Sequence, residues 1–148
     1  TRAVIPTIIL QLLTGNENIC LGSLRPTRDF NFVSDTVEGF ISAIDCEEAI
    51  GEVINIGSSF EISIGETANL IAEIMNKNIF IEKDEQRFRP KTSEVERLYS
   101  SNEKAEKILG WRPKHGGLSG FRSGIEKTVE WFSDPSNIQN YKSGGYVI

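Results

Sequence analysis

Apolar residues at Val4, Ile5, Ile8, Ile9, Leu12 and Leu13 repeat with the spacing of one helix face; Pro6 is admissible in a first turn, and Gly15 supplies a stop. Ile19-Cys20-Leu21 and Phe30-Asn31-Phe32-Val33 are short and β-prone. Asp35 followed by Glu38 forms an acidic version of a capping box, predicting a helix that buries Val37, Phe40, Ile41 and Ile44. The continuous run Glu52-Val53-Ile54-Asn55-Ile56-Gly57 predicts a buried strand. A second box, Ser63 with Glu66, opens a helix carrying Leu70, Ile71, Ile74 and Met75 on one face. A strand at Ile79-Phe80-Ile81 follows, then an arginine-rich polar loop. A third box at Ser100 and Glu103 precedes a short helix that Gly110 closes and Pro113 prevents from resuming. Leu118, Phe121, Ile125, Val129 and Phe132 predict a last amphipathic helix, after which residues 134–148 form a polar tail expected to be ordered only by docking.

Helices and short strands in mixed alternation, without internal repeats, mean an α/β or α+β fold. The length of 148 residues suits one domain, expected over residues 1–133. Hydrophobic residues at 39% and charged ones at 25%, with every apolar run shorter than a membrane span, predict a soluble globular chain with no membrane partner. No signal peptide is visible: the apolar opening Val4-Ile5-Pro6-Thr7-Ile8-Ile9 has no basic leader and no cleavage site, and it reads as the interior of a longer protein. Cys20 and Cys46 lack metal-ligand spacing and fit buried thiols in a reducing, cytoplasmic compartment.

A net charge of −5 opposes binding of nucleic acid, which needs a broad basic face, but does not oppose a compact anion. Five of the eight arginines fall in two short segments, Arg25 and Arg28 in one and Arg87, Arg89 and Arg97 in the other. His115 has no second histidine to share a metal or proton, so a solvent-exposed turn position is expected and no metal site. Trp111 is expected to pack the end of its helix against the core, and Asp35 to cap a helix rather than act as a base.

Three segments taken together carry a resemblance: Leu21-Gly22-Ser23-Leu24 leading to Arg28-Asp29-Phe30-Asn31-Phe32-Val33-Ser34-Asp35; Val53-Ile54-Asn55-Ile56-Gly57; and Arg89-Pro90 with Ser93-Glu94-Val95, Lys104-Ala105 and Leu109-Gly110-Trp111. In order and spacing they resemble the extended short-chain dehydrogenase/reductase enzymes that act on nucleotide sugars, over roughly residues 1–133. Within that family the chain looks most like 4,6-dehydratases of N-acetylglucosamine nucleotides in bacterial surface-sugar pathways. The stretch from Leu21 to Phe30 also resembles GDP-mannose 4,6-dehydratase and points toward a guanine base. The fold implied is the substrate-binding lobe of a two-lobed α/β enzyme whose Rossmann half is missing from this chain.

The ligand implied is a GDP- or UDP-linked hexose. Arginine suits its pyrophosphate because a planar fork donates two parallel charge-assisted hydrogen bonds. The resemblance places Arg28 and Arg89 on the pyrophosphate, Asn55 on a phosphate or ribose, Glu94 on the ribose hydroxyls, and Ile19 and Leu21 along the base. The plainer alternatives are surface ion pairs of Arg28 and Arg89 with acids such as Asp29 and Glu94, a turn role for Asn55, and an ordinary strand at Ile19–Leu21.

Oxidation of a sugar carbon needs a nicotinamide, and its fold announces itself by a glycine-rich turn between strand and helix. Gly117 and Gly120 hold one correct interval, but residue 123 is serine and no strand precedes. The family's catalytic tyrosine is followed four residues later by lysine. Here Tyr99 is followed by Glu103, Tyr141 by Gly145, and Tyr146 by the chain end. The resemblance therefore implies that NAD, the catalytic residues and the homodimer contacts belong to an amino-terminal half, and that this chain alone is inactive. A free-standing nucleotide-sugar-binding module is the alternative from another class, and a remnant that no longer binds anything is a third.

Overall fold

The computed structural model describes residues 3–15, 17–84, 87 and 95–138. These divide into two compact units, one drawn from the described residues within 1–26, 63–96 and 125–148, the other from 27–62 and 97–124.

In the first unit, α1 (Val4–Leu13) buries Ile8, Ile9 and Leu12 and packs against α3 (Ile64–Ile74). The box predicted at Ser63 and Glu66 is formed in full: the Ser63 hydroxyl accepts the Glu66 N–H at 3.1 Å, and the Glu66 carboxylate accepts the Ser63 N–H at 3.0 Å. The face of α3 that is fully buried is Thr67, Ala68, Ile71 and Ala72; Leu70, Ile74 and Met75 are half-buried. β1 (Asn18–Leu21) pairs in parallel with β4 (Phe80–Lys83), Ile19 opposite Ile81 and Leu21 opposite Lys83. The Gln11 side chain of α1 satisfies Cys20 on both sides, its oxygen accepting the Cys20 N–H at 2.8 Å and its amide donating to the Cys20 carbonyl at 3.3 Å. Trp131 and Phe132 meet edge to face near the end of α5 (Gly117–Ser133), where Phe132 is buried; α6 (Pro135–Ile138) follows.

In the second unit, β2 (Thr27–Asp29) lies beside β3 (Glu61–Ser63), and Thr27 also bridges Arg97. The strand expected at Phe30–Val33 therefore sits earlier in the chain. α2 (Val33–Ile44) begins before the predicted box, and Phe32 precedes it without a side-chain cap. Asp35 has been claimed by a distant partner: its carboxylate accepts the His115 backbone N–H at 2.8 Å and meets His115 Nδ1 at 2.8 Å. His115 is thus no exposed turn residue; its side chain is 11% exposed and packs against Phe32. Trp111 is buried as expected, with its indole N–H donating to the Asp35 carbonyl at 3.1 Å. α4 (Glu103–Leu109) ends on Gly110 at φ +62°, but Asn102 rather than Ser100 precedes it, with no side-chain cap.

Two expectations fail together in this unit. The run from Glu52 to Gly57 has no ladder partner among the described residues and forms no strand. The apolar face of α2 is also not buried, since Val37, Phe40, Ile41 and Ile44 are between 49% and 82% exposed. α2 instead packs through its small and polar stripe, Asp35 and Gly39, the latter so close to Ile56 that a Cβ would collide with it. Periodicity shows that a helix has an apolar face but not what covers it.

Candidate functional site

Arg28 is the middle residue of β2, half-buried, with Nη1 donating to the Thr27 carbonyl at 2.7 Å. The same carbonyl accepts the Leu98 N–H at 3.1 Å, so the strand and the segment from Arg97 onward share one acceptor. Asp29, the next residue, does not serve as the ion-pair partner foreseen for Arg28. Its Oδ1 accepts the Ser58 N–H at 2.9 Å and the Ser58 hydroxyl at 2.5 Å, and its Oδ2 accepts the Ser100 N–H at 3.2 Å.

Around this carboxylate the loop after Ile56 is tightly built. Gly57 is buried so close to Ser100 that any Cβ would overlap the serine side chain. Ser59 adopts φ +52°, a left-handed conformation that a serine seldom takes. It is held there through its hydroxyl, which lies 2.6 Å from Asn102 Oδ1 and accepts the Asn102 N–H at 3.1 Å. Backbone strain of this sort persists where surrounding contacts over-determine it, and such places cluster at binding sites. Phe30 and Phe60 both pack on Phe121, giving the loop an apolar floor.

Arg97 is committed to structure. Its Nε and Nη2 fork onto Glu61 at 2.6–2.9 Å, Thr27 donates to the same carboxylate at 2.7 Å, and the Tyr99 ring lies under the guanidinium. The hydrogen bonds from Arg97, then that from Thr27, hold the Glu61 carboxyl at about 2 against an ordinary 4.5. Burial would raise the Asp35 carboxyl, but the hydrogen bonds from the His115 side chain and backbone outweigh it, and the group lies below its ordinary value.

Of the residues foreseen for the site, Arg28 and Asn55 stand in the second unit, Asn55 exposed in the segment before Gly57. That segment is tied back to β2's continuation by Asn31 Nδ2, which donates to the Ile56 carbonyl at 2.7 Å. Ile19 and Leu21 stand in the first unit with buried side chains, and the Leu21 carbonyl accepts the Asp84 N–H at 2.9 Å. Arg89 and Glu94 lie outside the described residues. Asp29, Ser58, Ser100 and Asn102 were not foreseen; the one available signal was a carboxylate beside the motif arginine, and its true partners are 29 and 71 residues away.

The fold does not offer a dinucleotide cradle in its described residues. β1 is followed by the non-helical stretch 22–26 and then β2, not by a glycine turn into a helix, so the described residues do not fit NAD. Among the described residues no three His, Cys, Asp or Glu side chains converge as a metal site would require, and no helix is long and apolar enough to cross a membrane. Cys20 and Cys46 are half-buried free thiols.

A mixed chain of helices and short strands is the architecture this chain shares with solved epimerase structures. The family model described as GDP-mannose 4,6 dehydratase matches residues 1–128, and the chain belongs to that family. The human dTDP-D-glucose 4,6-dehydratase is 32% identical over 143 residues, covering 95% of this chain and 39% of that protein. Among solved structures, the epimerase Mth375 of Methanothermobacter thermautotrophicus superposes with a TM-score of 0.77 at 32% identity, over 88% of this chain and 37% of that one. The dTDP-glucose 4,6-dehydratase of Bacillus anthracis, solved in complex with NAD, shares the fold with a TM-score of 0.74 at 24% identity, over 94% of this chain and 41% of its own. The chain thus spans about two-fifths of the length of the relatives it matches.

Proposed function

We propose that this chain is the nucleotide-sugar-binding part of an NAD-dependent 4,6-dehydratase or epimerase of bacterial surface-sugar synthesis, acting in the cytoplasm on a GDP- or UDP-linked hexose. The observation that carries the reading is the family match over residues 1–128, which includes the motif arginine at Arg28. Arg28 and Arg89 hold the pyrophosphate by charge-assisted pairs, with Asn55 and Glu94 on phosphate or ribose and Ile19 to Leu21 along the base. The chain contributes binding energy and orientation, which speed reaction by keeping the sugar in register with the nicotinamide. NAD and the catalytic tyrosine and lysine belong to the remainder of a longer polypeptide, which forms a homodimer, and this chain alone turns over nothing.

Titration with GDP and UDP tests the base. The Leu21 to Phe30 stretch favours GDP; equal or reversed affinities remove the guanine preference and leave the family intact. Consumption of any nucleotide sugar by this chain with added NAD contradicts the assignment of chemistry to the remainder of the polypeptide.

A further inference from the structure

Asp29 ends β2 immediately after Arg28, and neither of its oxygens is used on a cation in the described residues. Oδ1 is taken by Ser58, backbone and hydroxyl, and Oδ2 by the Ser100 backbone. One side chain therefore ties two segments that are far apart in sequence to the strand end that carries the arginine. Charge-assisted bonds of this kind are stronger than neutral ones, and a short acidic side chain has few rotamers through which to drift. The consequence reaches Arg28 through the backbone. Its guanidinium rests on the Thr27 carbonyl, which the Leu98 N–H also uses, and Leu98 is two residues from the Ser100 N–H that Asp29 grips. Fixing Ser100 fixes a segment that shares an acceptor with Arg28.

We propose that Asp29 is a positioning residue for nucleotide-sugar binding: by clamping the Ser58 and Ser100 backbones to the end of β2, it holds the Arg28 guanidinium in the orientation that receives the pyrophosphate. The proposal rests on the nucleotide-sugar reading of Arg28. Side chains that lock the orientation of a contacting group govern affinity without touching the ligand.

The test is a double-mutant cycle on the 148-residue chain, with GDP and UDP as probes and thermal unfolding measured beside each titration. Asp29→Asn is isosteric but presents an NH2 to one of the two backbone N–H groups, breaking one tie. In the native background it weakens nucleotide binding about tenfold, and in an Arg28→Ala background by less than about twofold, because the group it orients is gone. Should Asp29→Asn unfold the chain, Ser58→Ala, which removes only the hydroxyl tie, carries the same cycle with a loss of about threefold in the native background alone. Equal losses in both backgrounds, or a lowered Tm with unchanged affinity, make Asp29 a merely structural acceptor and overturn the proposal. If Arg28→Ala itself leaves nucleotide binding unchanged, the nucleotide-sugar reading of Arg28 has failed and the role of Asp29 falls with it.

Discussion

The Glu61 carboxylate, forked by Arg97 and bonded by Thr27, is one source of acid-dependent stability. Its folded value of about 2 lies below the ordinary 4.5, so its contribution is complete above 4.5 and is lost as pH falls from there through 2. Glu61→Gln removes that slope: the difference in urea midpoint between native and variant chains is largest near neutrality and shrinks across this window. The pair is open to solvent, so the effect is modest and salt-sensitive. Asp35 titrates with the same sign, its lowered carboxyl stabilising the fold only while ionised. For Arg89, which precedes Pro90 in a polar stretch without apolar periodicity, the expected cost falls on binding. Losing a hydrogen bond to a charged group costs about 1.5–3 kcal/mol, hence Arg89→Ala in the complete enzyme weakens substrate binding about ten- to a hundredfold. Arg89→Lys costs less, because charge remains while the fork is lost. Unchanged affinity with a lower Tm would make Arg89 an ion-pair partner instead.

Among elements, the segment Gly57–Phe60 is the one on which the site turns, and Gly57 is its tightest point. Gly57→Ala drives a methyl into the Ser100 side chain and destabilises the second unit by about 1–3 kcal/mol. Ser100→Gly in the same chain restores part of that loss in chemical denaturation, since it vacates the space the methyl needs. What was legible in the sequence divides along the same line of local against distant causes. The Ser63 and Glu66 box, the stop at Gly110 and the helix α1 came out as expected because each depends on residues within one or two turns. Asp35 and Glu38 carry an equally good local pattern, yet His115, 80 residues away, takes the carboxylate. The strand expected at Glu52–Gly57 failed for a related reason: strandness is a property of a pair, and no described residue supplies the partner. Arg28 could be singled out by motif, whereas the Asp29 clamp could not, because nothing near Asp29 in sequence names Ser58 or Ser100.

At the scale of the molecule, the second unit shows solvent a set of apolar side chains: Val33, Val37, Phe40, Ile41 and Ile44 on α2, with Ile50 and Val53 further along the chain, all at least 49% exposed. Faces of this kind mark interaction surfaces. In the proposed enzyme they pack against the cofactor-binding part, which fits the two-fifths coverage of the relatives. The chain by itself is therefore expected to self-associate in sedimentation runs. Ile44→Lys with Val53→Lys shifts it toward monomer without lowering Tm, because neither side chain supports the core; a monomeric native chain would contradict this role for the face.

Calorimetric titration of the 148-residue chain with a GDP- or UDP-linked hexose and, separately, with NAD measures the division of labour between substrate and cofactor. Saturable binding of the nucleotide sugar, weakened by Arg28→Ala, is expected, with no heat of binding for NAD at micromolar protein. Binding of NAD with indifference to the nucleotide sugar would contradict that division.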